Sequence, residues 1–160
     1  MLTKELLAET QEFSETFLEL VLRMREVLYE NDKRYASYRL SNEEFHTLFF
    51  LFTSTEPLGP SDIADKINVT RASMTGLLDR LEKENLLERV NHPKDRRKII
   101  LKLTENGTKL VEKIMPPHFE WLSKVKEVFS EEDRQLFTSY LLKMRNIMAE
   151  INLINDRTSI

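Results

Sequence analysis

Between residues 60 and 81, apolar side chains recur at helical spacing in two successive stretches. In the first stretch, Ile63, Ala64 and Ile67 share one face of a short helix. The second stretch predicts a longer helix, whose apolar face carries Met74, Leu77, Leu78 and Leu81. Because Ala64 is small, the two helices can approach closely, and the pattern predicts a helix-turn-helix.

The segment between these helices has the residues of a short, fixed turn. Asn68 tolerates the left-handed backbone conformation that a sharp turn requires, and Val69 is an apolar residue that can be buried between the helices. Pro60 suits the first position of the first helix, and Thr70 suits the N-cap of the second. We therefore expect both helices to begin at these residues.

After the second helix, the apolar residues take the spacing of β-strands. Residues 86–90 and 98–103 predict two strands, and the polar residues 91–97 predict a long, charged hairpin tip. A helix-turn-helix followed by a hairpin is a winged helix-turn-helix. Such a wing reaches the phosphate backbone or the minor groove of double-stranded DNA, where negative potential favours arginine. A solvated surface hairpin is the alternative interpretation.

The rest of the chain is predicted to be almost entirely helical. Apolar residues recur at three- and four-residue steps over about 25 N-terminal residues. Ser41 and Glu44 form a capping-box pattern at the start of a second helix. A helix after Thr104 is expected to end at Pro116 and Pro117, since the residue before a proline disfavours helical geometry. A further helical stretch and a last helix, capped at Ser130, follow.

These elements predict one domain of the mainly α class with a small β-wing (α+β). The winged helix-turn-helix lobe is expected over residues 41–104, with dimerisation helices over residues 1–35 and 108–160. A lobe of this size cannot cover two long amphipathic helices, so we predict a homodimer. Its twofold symmetry would bring two recognition helices to successive major grooves. Packing of the terminal helices on each other within a monomer is the alternative.

Charge is distributed unevenly along the chain. The whole sequence has a formal net charge of −3. Residues 71–102 contain nine Lys/Arg and five Asp/Glu, so this segment is +4 and the remainder is −7. The basic segment can face phosphate while the acidic remainder is repelled by it, which favours one orientation on a duplex.

Composition excludes several classes of function. The chain has no cysteine, and therefore no disulfide, thiolate metal site or cysteine redox switch. It has no G-x-S-x-G, P-loop or H-E-x-x-H motif, so neither an enzyme nor a bound cofactor is predicted. No apolar run reaches the roughly 20 residues of a membrane span, and the N-terminus lacks the order of a signal peptide. We therefore expect a cytoplasmic protein that does not bind a membrane.

The histidines do not predict a metal site. His46, His92 and His118 lie far apart in the sequence and lack the spacing of metal ligands. His92 belongs to the wing and is expected to face solvent. A site built from His46, His118 and carboxylates is the alternative that remains open.

A long ordered motif covers residues 69–107, VTRASMTGLLDRLEKENLLERVNHPKDRRKIILKLTENG. It resembles the recognition helix and wing of the MarR family of transcriptional regulators. The wing has the Asp-x-Arg element of that family, Asp95 and Arg97, and the Leu-Thr-x-x-Gly that follows is Leu103, Thr104 and Gly107. The resemblance implies a homodimer that binds a pseudo-palindromic operator in double-stranded DNA, usually as a repressor.

The resemblance also implies which residues contact DNA. At the start of the recognition helix they are Thr70, Arg71, Ser73 and Thr75. Arginine pairs bidentately with guanine, and serine and threonine can bond bases or phosphates. Arg80 is expected to contact a phosphate or to pair with Glu84 four residues on. Gly76 is expected to allow close approach of DNA, or close packing against the preceding helix.

In the wing, the resemblance implies minor-groove or phosphate contacts from Arg96 and Arg97. Asp95 is expected to orient one of these arginines. Asp79 is expected to form a salt bridge with Arg97 and so to tie the hairpin to the recognition helix.

Members of the family often bind small aromatic or phenolic compounds between the dimer helices and the DNA-binding lobe, so the resemblance implies a small aromatic effector. The candidate residues of such a cleft are Phe13, Phe17, His46, Phe49 and Phe50. An ordinary buried core is the alternative, and the pattern favours it, because a stripe of phenylalanines at helical spacing is what any buried helix shows.

A second class of function is a winged helix that serves only as a protein–protein interaction module, without DNA binding. The basic wing and the hydroxyl-rich helix start favour DNA, because a docking module needs neither.

Overall fold

The computed structural model of the chain describes the backbone of residues 2–158. Within it, the side chains of residues 10–150 are described apart from those of 28, 32, 96, 117–119, 121, 122 and 125. The elements are α1 (Leu2–Ser37), α2 (Asn42–Thr53), α3 (Pro60–Ile67), α4 (Arg71–Lys83), β1 (Leu87–His92), β2 (Asp95–Leu103), α5 (Glu105–Val128) and α6 (Glu131–Thr158). β1 and β2 form one antiparallel hairpin. The predicted mainly α class with a small β-wing is confirmed.

The chain divides into two compact units, Met1–Met115 and Pro116–Ile160. The first unit contains α1 to α4, the hairpin and the start of α5, and the second contains the rest of α5 and α6. No helix in the described part of the chain has the length and apolar character needed to cross a bilayer.

The helix-turn-helix lies where the sequence predicts it. The apolar faces of α3 and α4 are buried through Ile63, Ala64, Met74, Leu78 and Leu81. Asn68 ends α3 in the left-handed conformation, with a φ of 55°. Thr70 is the N-cap of α4, since its hydroxyl accepts the N–H of Ser73 at 3.1 Å. The turn between the helices is therefore fixed at both ends.

The core of the first unit joins the end of α1, α2, the helix-turn-helix, the hairpin and the start of α5. Its largest fully buried side chains include Tyr35, Phe45, Leu48, Ile63, Met74, Leu87 and Ile114. Burial of each such side chain stabilises the fold by about 1.5–3 kcal/mol relative to exposure. The core therefore fixes the position of α4 against the base of the wing.

Side-chain caps begin two further helices, as predicted. At α2, the N–H of Glu44 donates to the Ser41 hydroxyl at 3.2 Å, and the N–H of Ser41 donates to the Glu44 carboxylate at 2.7 Å. At α6, the N–H of Asp133 donates to the Ser130 hydroxyl at 3.1 Å, and the N–H of Ser130 donates back to the Asp133 carboxylate at 3.2 Å. Each pair satisfies helix-end donors that would otherwise lack a partner.

The hairpin has a shorter tip than predicted. The expected polar tip over residues 91–97 is wrong, because β1 continues to His92 and β2 begins at Asp95. Only residues 93 and 94 form the turn. The polar residues around it have no apolar alternation, so the sequence pattern did not reveal that they extend the strands.

α5 continues through the prolines at which it was predicted to end. Pro116 and Pro117 lie inside this helix, which ends at Val128. Each proline removes one helical donor, so the carbonyls of Glu112 and Lys113 lose their usual partners. The preference of the residue before a proline for extended backbone is a bias that a helix can override. The boundary between the two units nevertheless falls at Pro116.

Candidate nucleic-acid interface

The start of α4 presents hydroxyl groups and one arginine to solvent. Thr70, Arg71, Ser73 and Thr75 are all exposed, as a DNA-contacting role requires. The hydroxyls of Thr70 and Ser73 lie 2.9 Å apart, and the Thr75 hydroxyl donates to the Arg71 carbonyl at 3.1 Å. The hydroxyls of Thr70 and Thr75 are each hydrogen-bonded to the backbone of α4, which holds these side chains in fixed positions at the start of the helix.

Gly76 faces open space on the same helix. A Cβ atom added at this position would meet no atom within 4 Å. The alternative that Gly76 permits close packing against α3 is therefore wrong. Its exposed position leaves room for a bulky neighbour from outside the chain.

The basic residues of the wing lie in a bulge. Asn91 pairs with Ile99, but the next residue of β1, His92, pairs with Asp95. Residues 96–98 consequently have no partner on β1. These three residues are Arg96, Arg97 and Lys98, so the irregularity falls on the most basic run of the chain. A bulge turns side chains away from the regular alternation of a strand and re-aims them.

The tip is held by hydrogen bonds that start from one histidine and one aspartate. His92 Nδ1 accepts the N–H groups of Lys94 and Asp95, both at 3.2 Å. Asp95 in turn accepts the backbone N–H of Arg97 at 3.1 Å and its Nε at 3.4 Å. These contacts are those expected if Asp95 orients a wing arginine, and the side chain of Arg97 remains 92% exposed. Arg96 is the other predicted DNA contact of the wing, and its side chain lies outside those described.

The base of the wing is tied to α4 by Arg89. Its guanidinium binds Asp79 at 2.7 Å and also binds Glu82, one turn further along α4. Partial burial disfavours the charged form of Arg89, but the hydrogen bonds to Asp79 and Glu82 outweigh it and raise the pKa of Arg89 above its ordinary value. The expected pairing of Asp79 with Arg97 is wrong, because β1 passes closer to α4 than the tip does. Asp79 does join the wing to the helix, through a different arginine.

Arg80 contacts the protein on several sides. Its Nε lies 3.2 Å from the Glu44 carboxylate and 3.6 Å from that of Glu84. Its Nη2 donates to the backbone carbonyl of Arg39 at 2.8 Å. The pairing with Glu84 that the sequence suggested is confirmed, and Glu44 is an additional partner from α2.

A cleft of about 430 Å³ lies between the start of α3 and β2. Its polar lining is Ser61, Asp62, His92 and Lys98. Lys98 belongs to the wing bulge and Asp62 to the start of α3, so the cleft adjoins both the wing and the helix-turn-helix.

Sequence reasoning missed Arg89 as a positioning residue, and it identified Glu44 only as a helix cap. A signal for Arg89 was present: Asp79 and Glu82 lie one turn apart on α4, just before a strand that contains one arginine. No signal pointed to the contact between Glu44 and Arg80, because it joins helices that are 36 positions apart in the sequence.

The candidate effector residues are only partly brought together. His46, Phe49 and Phe50 lie in an aromatic group on α2, where Phe49 and Phe50 have ring centroids 5.3 Å apart and His46 meets the Tyr35 ring edge-on at 6.3 Å. Phe13 and Phe17 stack on each other at 6.0 Å on α1. They lie 18 to 22 residues before Tyr35, which is roughly 27–33 Å along a helix. One chain therefore does not place all five residues in one cleft.

Within the part of the chain that the structure describes, no three His, Asp or Glu side chains come together in a way that could hold a metal ion. The side chain of His118 lies outside those described, and the alternative site that includes it stays a prediction.

Comparison with known proteins gives consistent matches. The sequence pattern of the MarR family matches residues 40–99. The HTH-type transcriptional repressor YetL of Bacillus subtilis is 34% identical over 128 residues, which cover 79% of this chain and 77% of YetL. MepR of S. aureus in its DNA-binding conformation superposes with a TM-score of 0.71 at 27% identity, covering 85% of this chain and 98% of MepR. A MepR–DNA complex gives a TM-score of 0.64 at 26% identity, with coverage of 85% and 96%.

The fold and the exposed basic surface define a winged helix-turn-helix transcriptional regulator. Both the family pattern and the similarity to YetL over 128 residues agree with the motif at residues 69–107. The chain belongs to the MarR family, and the resemblance seen in the sequence is confirmed.

Proposed function

We propose that this regulator is a homodimer that binds a pseudo-palindromic operator in double-stranded DNA, acts in the cytoplasm and represses transcription. The observation that carries the proposal is the joint presentation of two surfaces: the exposed start of α4 and the basic bulge of the wing. Arg89 joins these surfaces through its bonds to Asp79 and Glu82. A rigid pair of this kind can enter a major groove with α4 while the wing follows the adjacent backbone.

The proposed DNA contacts are Thr70, Arg71, Ser73 and Thr75 on α4, and Arg96 and Arg97 on the wing. Lys94 and Lys98 extend the wing surface, since both are exposed and form no ion pair among the described residues. Asp79 and Asp95 are proposed to orient the wing rather than to face DNA, because carboxylates repel phosphate. The complex of MepR with DNA supports a DNA-binding role for the lobe, since MepR shares the fold.

The proposal of a dimer is supported by apolar side chains that each unit leaves exposed. In α6 they recur at three- and four-residue steps and include Phe137, Tyr140, Leu141, Ile147 and Met148. In α1 they include Phe13, Leu18, Val21, Met24 and Val27. Exposed apolar surface of this extent marks an interaction site, and the spacing in α6 is that of a helix–helix seam. Leu141→Glu should shift sedimentation equilibrium toward the monomer, whereas a wild-type chain that is monomeric at micromolar concentration would contradict the dimer.

The experiment that tests operator binding is selection of duplexes from a random pool by the purified protein, followed by affinity measurement over a range of salt concentrations. We expect an enriched site with two half-sites about one helical turn apart, and an affinity that falls steeply with salt. If no duplex is enriched even in dilute buffer, and retention on heparin does not respond to salt, the lobe is a protein-docking module instead.

A small aromatic acid is the proposed effector that releases the operator. Arg34 Nη1 is buried and has no hydrogen-bond partner among the described residues. Tyr38, the residue after the end of α1, has Lys113 Nζ 5.3 Å from its ring centroid. A carboxylate would satisfy this buried Nη1, and the aromatic group of His46, Phe49 and Phe50 lies on the neighbouring helix.

The effector is tested by titrating the protein–operator complex with benzoate-type acids and with their uncharged amides. Release by the acids alone is expected, and Arg34→Leu should abolish it while operator affinity without effector stays at the wild-type value. Equal release by acid and amide, or by the wild type and the variant, would rule out recognition of the carboxylate by Arg34.

A further inference from the structure

We propose that Arg80 positions the recognition helix by fastening α4 to the junction of α1 and α2, and that it does not contact DNA. This inference rests on the proposed function, because it concerns how α4 is held for operator binding. It replaces the phosphate contact that the sequence suggested for this residue.

Glu44 on α2 is the first partner of Arg80. Its side chain is only 4% exposed, and both of its carboxylate oxygens are in use. One oxygen accepts the backbone N–H of Ser41 at 2.7 Å, and the other lies 3.2 Å from Arg80 Nε. A buried carboxylate requires a cationic partner, since an uncompensated charge in the interior is strongly destabilising. The same carboxylate therefore closes the start of α2 and holds α4.

The backbone carbonyl of Arg39 is the second partner of Arg80. This residue has a φ of 61°, in the left-handed region, between the end of α1 and the start of α2. Its N–H donates to the Ala36 carbonyl at 2.9 Å, and its own carbonyl accepts Arg80 Nη2 at 2.8 Å. The next residue, Leu40, is buried in the core. The junction is thus fixed on one side by the core and on the other by Arg80.

The geometry of the guanidinium explains why arginine is needed here. Its Nε faces Glu44 and Glu84 while its Nη2 faces the Arg39 carbonyl, so two nitrogens of the planar group are used at once. Lysine has a single ammonium on a flexible stem and cannot reproduce this arrangement. One side chain therefore adds polar contacts between α4 and the α1–α2 junction to those of the shared core.

The salt dependence of operator binding distinguishes the two roles of Arg80. A phosphate contact releases counterions, so its loss lowers the slope of log K against log salt by about 1. Loss of a positioning residue weakens binding without changing the slope. We expect Arg80→Ala and Glu44→Gln each to weaken operator binding by about tenfold with the slope unchanged. Glu44→Gln is informative because glutamine still serves in a capping box but carries no charge.

The double variant and two controls complete the test. The variant that combines Arg80→Ala with Glu44→Gln should bind the operator no more weakly than whichever single variant binds it more weakly. Both substitutions remove the same interaction, so their effects should not add. Arg80→Lys should resemble Arg80→Ala, because lysine keeps the charge but loses the geometry. Ile114→Val, a core change on α5, should lower stability without weakening binding, which separates positioning from general stability. A slope lowered by Arg80→Ala, with wild-type affinity for Glu44→Gln, would overturn the proposal.

The fastening can also be examined without DNA, so that its failure is distinct from failure of the proposed function. Amide hydrogen exchange in α4 should be faster in both single variants and no faster in the double variant than in the faster single variant. Independent, additive effects on exchange, or exchange that stays at the wild-type rate, would overturn the proposal even if the operator is bound. If the wild-type protein binds no duplex but the exchange rates change as expected, the role of Arg80 in holding α4 is supported and the proposed DNA-binding function is wrong.

Discussion

Asp79 and Arg80 are adjacent in the sequence, yet they tie α4 to different neighbours. Asp79 binds Arg89 on the wing at 2.7 Å, and Arg80 binds Glu44 on α2 at 3.2 Å. Consecutive side chains leave a helix about 100° apart, so two neighbouring residues can reach elements on two flanks. The recognition helix is thereby held from both sides, and the face between them remains open to a partner.

Replacement of Arg89 should loosen the wing. Arg89→Ala leaves Asp79 and Glu82 without their cation, and we expect the free energy of unfolding to fall by about 1 kcal/mol. Operator affinity should fall as well, because the wing loses its fixed position and the freed carboxylates repel phosphate. Urea unfolding and operator binding measure the two effects. Lys102→Ala, on the same hairpin, is the control for stability, and equal unfolding curves for the two variants would contradict the role of Arg89.

Gly76→Ala should separate stability from binding. Alanine in a helix interior is favoured over glycine by about 1 kcal/mol, and nothing in the chain opposes the added Cβ at this position. The variant should therefore unfold at a higher temperature. If DNA approaches Gly76 closely, operator affinity should fall at the same time. An affinity at or above the wild-type value would show that the glycine is not needed for DNA approach.

Gly107→Ala should have the opposite effect on stability. A Cβ at Gly107 would lie 1.9 Å from the Leu86 carbonyl oxygen, a backbone atom that cannot move away easily. The Thr104 hydroxyl donates to the Asn85 carbonyl at 2.6 Å and accepts the N–H of Gly107 at 3.0 Å, so this junction is tightly connected. We expect a loss of about 1–3 kcal/mol in urea unfolding. A loss below that of Ile114→Val would contradict the close approach.

The parts of the fold that rest on local spacing could be predicted from the sequence. The buried faces of α3 and α4, the left-handed Asn68 and the cap at Thr70 each follow from residues within one turn of each other. The length of the strands around the wing tip could not be predicted, because a strand that is exposed on both faces has no apolar alternation. The helix end expected at the prolines of α5 is wrong, because the bias against helical backbone before a proline is local and a long helix can override it.

The electrostatic contacts between elements were the least predictable part of the site. The sequence shows which residues are charged, but the partner of each depends on how close two elements pass. Asp79 was paired with Arg97 because both belong to the same motif, whereas the packing of β1 on α4 brings Arg89 closer. Glu44 and Arg80 meet only after α2 and α4 have packed on the common core.

The cap of α6 should titrate in acid. The Ser130 hydroxyl, and then the Ser130 N–H, donate to the Asp133 carboxylate and hold its pKa below the ordinary value. A lowered pKa means that the contribution to stability is complete above the ordinary pKa of aspartate and is lost as the pH falls through the lowered value. The amide signals of Ser130 and Asp133 should therefore shift together below pH 4 (roughly the ordinary pKa) in NMR spectra. Asp133→Asn should remove this transition, and its persistence would assign it to another group.

Replacement of wing cations should change the salt dependence of operator binding. Arg97 is almost fully exposed and is oriented by Asp95, so Arg97→Ala should weaken binding and lower the slope of log K against log salt by about 1. Lys98→Ala, in the same bulge, should do the same, with little change in the sequence that is preferred. Lys113→Ala on α5 is the matched control, because its ammonium lies over the Tyr38 ring and not on the wing. A lowered slope for Lys113→Ala but not for Arg97→Ala would place the DNA on a different face of the lobe.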